Sequence, residues 1–273
     1  MFGQLPVADV DTALVTKALD PIWRTKSETA SRLRGRIESV LGWATVRGYR
    51  SGDNPARWRG HLDHLLPARA KVQKVAHHAA LPFDQVASFM ADLREREGTA
   101  ARALEFAILT SGRTSEVLGA RWDEIDLQAR VWTVPGERMK AGKEHRVPLS
   151  DAAVTVLERM QSVREGDLIF PGQRRGKPLS NMVMLMLLRR MDRGDLTAHG
   201  FRSTFRDWAA ERTAFPGEVA EAALAHTVSS KVEAAYRRGD LFEKRRLLMN
   251  AWAAFCTTPT PAGATVLPMT RNG

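Results

Sequence analysis

The sequence predicts a mainly α-helical protein with one small β-hairpin or sheet, an α+β class, and three observations lead there. Apolar residues recur at three- and four-residue spacing through most of the chain. One stretch departs from that rhythm: RVWTVPGERMKAGKEHRVPLS carries strand-type runs at Val131–Val134 and His145–Leu149 around a turn containing Gly and Lys. With 273 residues, 44% of them hydrophobic, the chain can bury a substantial core in one large domain or in a compact domain with a smaller partner.

The first helical pattern is SETASRLRGRIESVLGWATVR, residues 27–47, where Ser27 can cap and Leu33, Ile37, Val40, Leu41 and Ala44 form one apolar stripe. Arg32 and Arg36 sit one turn apart beside that stripe, either as a solvated face or as DNA-phosphate contacts. GYRSGDNPARWRGHLDHLLPARAKVQKVAHH follows, rich in turn formers and bases, and a linker is expected near residues 66–80. The helical pattern restarts at LPFDQVASFMADLRE. After the hairpin, Ser150 and Asp151 can cap DAAVTVLERMQSV, LIFPGQRRGKPLS reads as a loop and NMVMLMLLRRM as a helix. Further helical patterns cover 198–211, 216–225 and 230–255, the last with a break at Gly239, before the Pro/Thr-rich tail TTPTPAGATVLPMTRNG, expected to lack structure.

Charge narrows the partner. Forty-one Lys and Arg against 31 Asp and Glu leave a formal charge of +10, which points to a polyanion, because each neutralised phosphate releases counterions. An anionic membrane surface is the rival partner, but no lipidation signal accompanies it. The longest apolar run, Met182–Leu188, is far shorter than the roughly 20 residues that a bilayer requires. The start MFGQLPVADVD has no basic segment leading into an apolar one. Cys256 is the sole cysteine, so no internal disulfide and no cysteine metal site can form. A soluble cytoplasmic protein is expected.

Several residues can carry chemistry. In SGRTSEVLGARWDEIDL, Arg113 and Glu116 are three apart, so on a helix the carboxylate can orient the guanidinium; the alternative is an ordinary surface pair. In TAHGFRSTFRDWAAE, His199 and Arg202 are also three apart at a helix start, with Thr197 ahead as a cap. Imidazole for proton transfer and guanidinium for charge on non-bridging oxygens are what a phosphoryl site wants, and a half-buried histidine at a helix start is the alternative. The chain has two tyrosines, Tyr49 and Tyr236. His226 and Tyr236 on one unbroken helix would lie about 80° apart, a poor arrangement for joint action. A helix ending near His226 and another capped by Ser229 or Ser230 would let both reach one phosphate.

In chain order Arg113, Lys140, His199, Arg202, His226 and Tyr236 resemble the catalytic set of the tyrosine recombinases, the phage-integrase family. The matching strings are TSGRTSEVLGARW, ERMKAGKEHRVPLS, AHGFRSTFRDWA and LAHTVSSKVEAAYRR, in family order over residues 81–256. ETASRLRGRIESVLGWATVRGYRSGDNPARWRG looks like the core-binding domain of prophage and genomic-island integrases. The resemblance implies an integrase-type catalytic domain over 81–256, a 66–80 linker, a short, partial helical DNA-binding domain over 1–65, and a disordered tail over 257–273. It further implies that Tyr236 attacks the scissile phosphorus and that Arg113 and Arg202 hold its non-bridging oxygens. Lys140 is the implied general acid with Lys143 in reserve, His199 assists proton transfer and His226 hydrogen-bonds the phosphate. No metal and no cofactor are implied. The implied partners are double-stranded DNA at an attachment site, a homo-tetramer on that DNA and accessory DNA-bending proteins, in the nucleoid. The family usually carries an arm-binding domain ahead of the core-binding one, so an integrase lacking that domain is expected. Two other readings stand beside it: a truncated fragment that only binds DNA, and a type IB topoisomerase-like activity.

Overall fold

The computed structural model describes residues 2–68, 72, 79–174, 176–226 and 239–258. The chain forms two compact units, 1–77 and 78–273.

The first unit is a helical pair wrapped by coil. Helix α1 (Thr12–Trp23), absent from the sequence expectations, is capped by Asp11, whose carboxylate accepts the Leu14 N–H at 2.8 Å. It buries Val15, Leu19 and Trp23, each four residues after the last. Helix α2 (Ser27–Val46) meets it with Ala30, Leu41 and Ala44 buried and Leu33 and Ile37 half-buried. Two expectations fail here. Lys26 holds the N-cap position, and Ser27 is the first helical residue. Val40 is 59% exposed, because a 100° step per residue carries it off the stripe that Leu41 occupies. Past α2 the chain folds back, stacking Trp58 on Trp23 with centroids 5.4 Å apart, while the Trp23 indole N–H donates to the Pro67 carbonyl at 2.9 Å.

The second unit holds helices α3 (Val86–Arg94), α4 (Thr99–Thr110) and α5 (Thr114–Leu118), strands β1 (Ile125–Asp126), β2 (Val131–Val134) and β3 (His145–Pro148), then α6 (Asp151–Gln161), α7 (Val183–Arg190), α8 (Gly200–Arg212), α9 (Gly217–Ala223) and α10 (Phe242–Thr257). Helix α4 is buried from Ala101 to Thr110 and forms the centre, with α3, α6, α7 and α10 packed around it. Arg102 within it pairs with Glu105 at 2.7 Å and donates to the carbonyls of Leu93, Arg94 and Arg96, satisfying the open end of α3. Ser150 does cap α6, accepting the Ala153 N–H at 3.3 Å.

The expected hairpin forms as β2 and β3, antiparallel with Val134 opposite His145 and Val131 opposite Pro148. A third strand, β1, extends the sheet on the other side of β2 through Ile125 opposite Trp132. Helix α10 docks on its own core: Leu248 and Trp252 are buried, the Trp252 indole donates to the Ile108 carbonyl at 2.8 Å, and its ring meets Phe205, Trp208 and Phe255. Leu247 faces outward at 61% exposure. Among the described residues, no helix is long and apolar enough to cross a membrane.

Candidate active site

The site is built where α4 stops. Ser111 takes a left-handed backbone, φ 51°, and a Cβ at Gly112 would press within 3.0 Å of Val117, so the chain turns tightly into Arg113. Arg113 is the N-cap of α5 and has extended backbone, φ −72° and ψ 147°, so it shares no helical face with Glu116 as the spacing had implied. The pairing arises from capping instead. The Glu116 carboxylate reaches back to the Arg113 backbone N–H at 2.9 Å and to its Nη1 at 2.7 Å. Glu116 is 4% exposed, so this is a buried carboxylate holding both ends of one arginine.

Arg202 comes from the first turn of α8, one turn past Thr197, whose hydroxyl accepts the Gly200 N–H at 3.0 Å. A Cβ at Gly200 would collide with the Ala79 carbonyl, so the residue type lets the start of α8 lie against the beginning of this unit. The Arg202 side chain is buried and donates to the carbonyls of Ser111 and Leu224. Its Nε–H has no hydrogen-bond partner among the described residues. Burial, then the Arg113 charge, pull its pKa down to about 10 against the opposing effect of Glu116, which still leaves it charged at neutral pH.

His226 is placed by the end of α9. Ala225 turns left-handed at φ 48°, its N–H returns to the Ala222 carbonyl at 3.1 Å, and the His226 N–H returns to the Glu221 carbonyl at 3.0 Å. This is the Schellman arrangement with alanine where glycine is usual. The freed carbonyls of Leu224 and Ala225 accept Arg113 Nη2 at 3.4 and 3.1 Å. The imidazole lies with Nε2 3.4 Å from Arg202 Nη2 and Nδ1 2.6 Å from Glu221. Burial works to raise the Glu221 pKa, but hydrogen bonds from Arg206 and His226 outweigh it and hold the carboxyl below its usual range.

Lys140 stands exposed in the turn between β2 and β3, on the rim of an open cleft of about 450 Å³ lined by Arg113, Lys140, Ala141, Glu221, Ala225 and His226. Arg138, not foreseen as a site element, ties that turn down by donating to Glu124 and to the Glu116 carbonyl. A larger open hollow of about 660 Å³ between Arg121 and residues 165–176 contains none of the candidate residues.

Of the nine candidates, three line this cleft, Arg113, Lys140 and His226, and a fourth, Arg202, is buried next to them with its Nη2 3.4 Å from His226. His199 sits at the start of α8 with its side chain exposed. Lys143 is exposed in the same hairpin turn and does not line the cleft. Arg32 is exposed and pairs with Glu28 at 2.9 Å, as an ordinary surface pair does, while Arg36 edges a shallow apolar groove with Phe2, Ile37 and Val40. Tyr236 lies outside the described residues, and so does the expected second helix capped by Ser229 or Ser230.

The family model described as "Phage integrase family" matches residues 79–241, well over half the chain, and "Phage integrase central domain" matches residues 1–61. The chain belongs to the phage integrase family. Among relatives of this integrase chain, prophage integrase IntA of Escherichia coli (strain K12) is 33% identical over 257 residues, covering 92% of this chain and 60% of that protein. The integrase of Enterobacteria phage P4 is 27% identical over 279 residues, covering 93% and 62%. The chain thus spans about three fifths of the length of the curated relatives it matches. In structure, it resembles a lambda integrase (75–356) dimer bound to a COC′ core site, with TM-score 0.60, 19% identity and coverage of 86% of this chain and 82% of that one. The Tn1549 transposon integrase (aa 82–397) in complex with circular intermediate DNA gives TM-score 0.60 at 16% identity, covering 90% and 87%. These likenesses establish the integrase fold.

Two inward-facing residues of the integrase fold, a neutral imidazole and a buried cation, escaped the sequence reading. His145, at the first position of β3, hydrogen-bonds the Ala223 backbone; burial and then Arg245 push its pKa down to about 4, with Glu116 opposing and Arg113 adding to the fall. Arg245, 1% exposed in α10, donates to the Asp240 carbonyl at 2.7 Å, to the Asp240 carboxylate at 2.8 Å and to the Arg146 carbonyl. The signal for His145 was its place in a strand-type run, where alternation sends every second side chain inward. Arg245 lies in a helix dense with charge, EKRR, and nothing there separates the inward arginine from its neighbours.

Proposed function

We propose that the protein is a site-specific DNA recombinase of the tyrosine type, which cleaves and rejoins DNA strands through a covalent phosphotyrosyl intermediate. The observation that carries this is the convergence of the Arg113 and Arg202 guanidiniums on the Leu224 carbonyl, beside the His226 ring and across a cleft from Lys140. Two donors aimed at one small region suit the two non-bridging oxygens of a phosphodiester, where negative charge grows as the phosphorus becomes five-coordinate. The Tyr236 phenol oxygen attacks phosphorus, the bond to the 5′ oxygen breaks, and Lys140 gives that oxygen its proton, with Lys143 as second candidate. His199 assists in taking the phenol proton, and His226 hydrogen-bonds a phosphate oxygen. Reversal of the same steps by an incoming 5′ hydroxyl rejoins the strand, so the phosphotyrosine bond conserves the energy that a cofactor would otherwise supply.

Residues 81–256 would be the catalytic domain and 1–65 a partial core-binding domain that holds DNA, with Arg32 and Arg36 as phosphate contacts, joined by a 66–80 linker. The substrate is double-stranded DNA at an attachment site, engaged by a tetramer of this chain aided by DNA-bending proteins, in the nucleoid of the cytoplasm. The formal charge of +10 supports the polyanionic substrate.

The test is a nicked duplex spanning the junction of the element that encodes this chain, mixed with the full protein. The expected result is an adduct that survives detergent, forms with Tyr49→Phe and is lost with Tyr236→Phe. No adduct from the wild type leaves a protein that only binds DNA. Relaxation of supercoiled plasmid at no particular site would move the assignment to a type IB topoisomerase-like enzyme.

A further inference from the structure

We propose that Glu221 is a positioning residue that fixes the tautomer and the aim of His226, presenting Nε2 to the cleft. This rests on the reading of His226 as a ligand of the DNA phosphate.

The argument begins with the backbone. The Schellman turn at the end of α9 returns the His226 N–H to the carbonyl of Glu221, the residue whose side chain also takes the His226 ring. One residue therefore holds both the main chain and the imidazole. The chemistry of the two ring contacts then agrees on a single proton position. A carboxylate only accepts, so Nδ1, 2.6 Å from Glu221 Oε2, carries hydrogen. A guanidinium only donates, so Nε2, 3.4 Å from Arg202 Nη2, presents its lone pair. A free neutral imidazole prefers hydrogen on Nε2; here the partner of the other nitrogen reverses that preference.

The carboxylate itself is held. Its Oε1 accepts from Arg206 Nε, and Arg206 stands four residues after Arg202 on the same face of α8. The hydrogen-bonded circuit Arg202, His226, Glu221, Arg206 thus starts and ends on one helix, which sets both the tilt of the ring and its distance from the cleft. The charged groups around the ring are Glu221 on α9 and Arg202 on α8, with Arg113 at the start of α5 and Lys140 in the hairpin turn lining the same cleft. To donate to a phosphate oxygen, Nε2 takes a proton from solvent, and the carboxylate already at Nδ1 pairs with the imidazolium so formed.

The test uses the full chain labelled with ¹⁵N-histidine, the His226 signals being assigned by their loss in His226→Asn. The wild type is expected to show the Nδ1–H tautomer at His226, Glu221→Gln to retain it through its amide oxygen, and Glu221→Ala to revert to Nε2–H. On the nicked duplex, Glu221→Ala is expected to slow single-turnover adduct formation about tenfold or more, the scale of one charge-assisted hydrogen bond. DNA affinity should change less than twofold or so, and Glu221→Gln should regain most of the rate. An Nε2–H tautomer in the wild type, or an unchanged tautomer in Glu221→Ala, overturns the inference whether or not DNA is cleaved. Affinity falling in step with the rate overturns it as well. A wild type that shows the Nδ1–H tautomer and forms no adduct removes the recombinase reading while leaving the assignment of Glu221 to His226 intact.

Discussion

Arg113 and Arg202 place their Nη2 atoms on a single acceptor, the Leu224 carbonyl oxygen, at 3.4 and 2.6 Å. Two like charges so close repel, and the fold offsets this with the Glu116 carboxylate on one side and carbonyl dipoles on the other. The result is a pair of forks already aimed, so the proposed phosphodiester would find little reorganisation left to make.

That arrangement predicts strong sensitivity to shape at constant charge. Arg113→Lys and Arg202→Lys each keep a cation but lose the planar fork, and each is expected to lower the single-turnover cleavage rate about 100-fold or more. On the proposed function, DNA affinity, measured by gel shift at fixed salt, should fall far less, because the other cations of the chain would still neutralise phosphates.

Glu116→Gln keeps the size of the side chain and removes its charge. Arg113 then loses its bidentate counter-charge beside Arg202, and stability is expected to fall by about 2 kcal/mol, read from denaturant unfolding. The residual Arg113 side chain is 21% exposed, so solvent limits the loss below that of a fully buried pair.

Much of this design was readable in the linear sequence, and the failures have physical causes. Strand β2 announced itself through its run of Val, Trp and Thr and β3 through the stretch His145–Leu149 beyond a Gly- and Lys-containing turn, whereas β1 is two residues long, too short for any alternation to show. Helix α1 went unseen although its pattern Val15, Leu19, Trp23 is regular, because Pro21 lies inside it and reads as a break. The spacing of Arg113 and Glu116 pointed to a contact and to the wrong geometry for it: a helix cap brings the same two residues together with extended backbone at the first. Glu221 was silent because its partner lies five residues on, a separation that only the left-handed Ala225 turns into a contact. Lys140 and His226 were legible as residue types; their meeting at one cleft needed the fold.

His145 gives a pH prediction with a defined sign. Its folded pKa, about 4, lies below the ordinary 6.5, so between those values the unfolded chain binds the proton and the folded chain does not. Stability from this group is complete above about pH 6.5 and lost as pH falls toward 4, up to about 3 kcal/mol. Unfolding midpoints of His145→Gln, measured from pH 7 to pH 4, should lack that part of the slope.

Arg245→Met keeps an unbranched apolar stem and strips the donors from two carbonyls and the Asp240 carboxylate. A loss of about 3 kcal/mol is expected from calorimetry or denaturant titration. Asp240 stands four residues after Tyr236 in sequence, so at a temperature where the variant is fully folded its adduct formation should still lag the wild type, with DNA affinity retained.

The acceptors that align the two arginines are main-chain oxygens of Ser111, Leu224 and Ala225. Every amino acid supplies such an oxygen, so heritable drift at these three positions can swap side chains of compatible bulk and leave the aim of the guanidiniums untouched. A saturation library should therefore find these positions sorted by bulk, and at Ser111 and Ala225 by tolerance of the left-handed backbone, whereas the arginines that they steer admit no replacement.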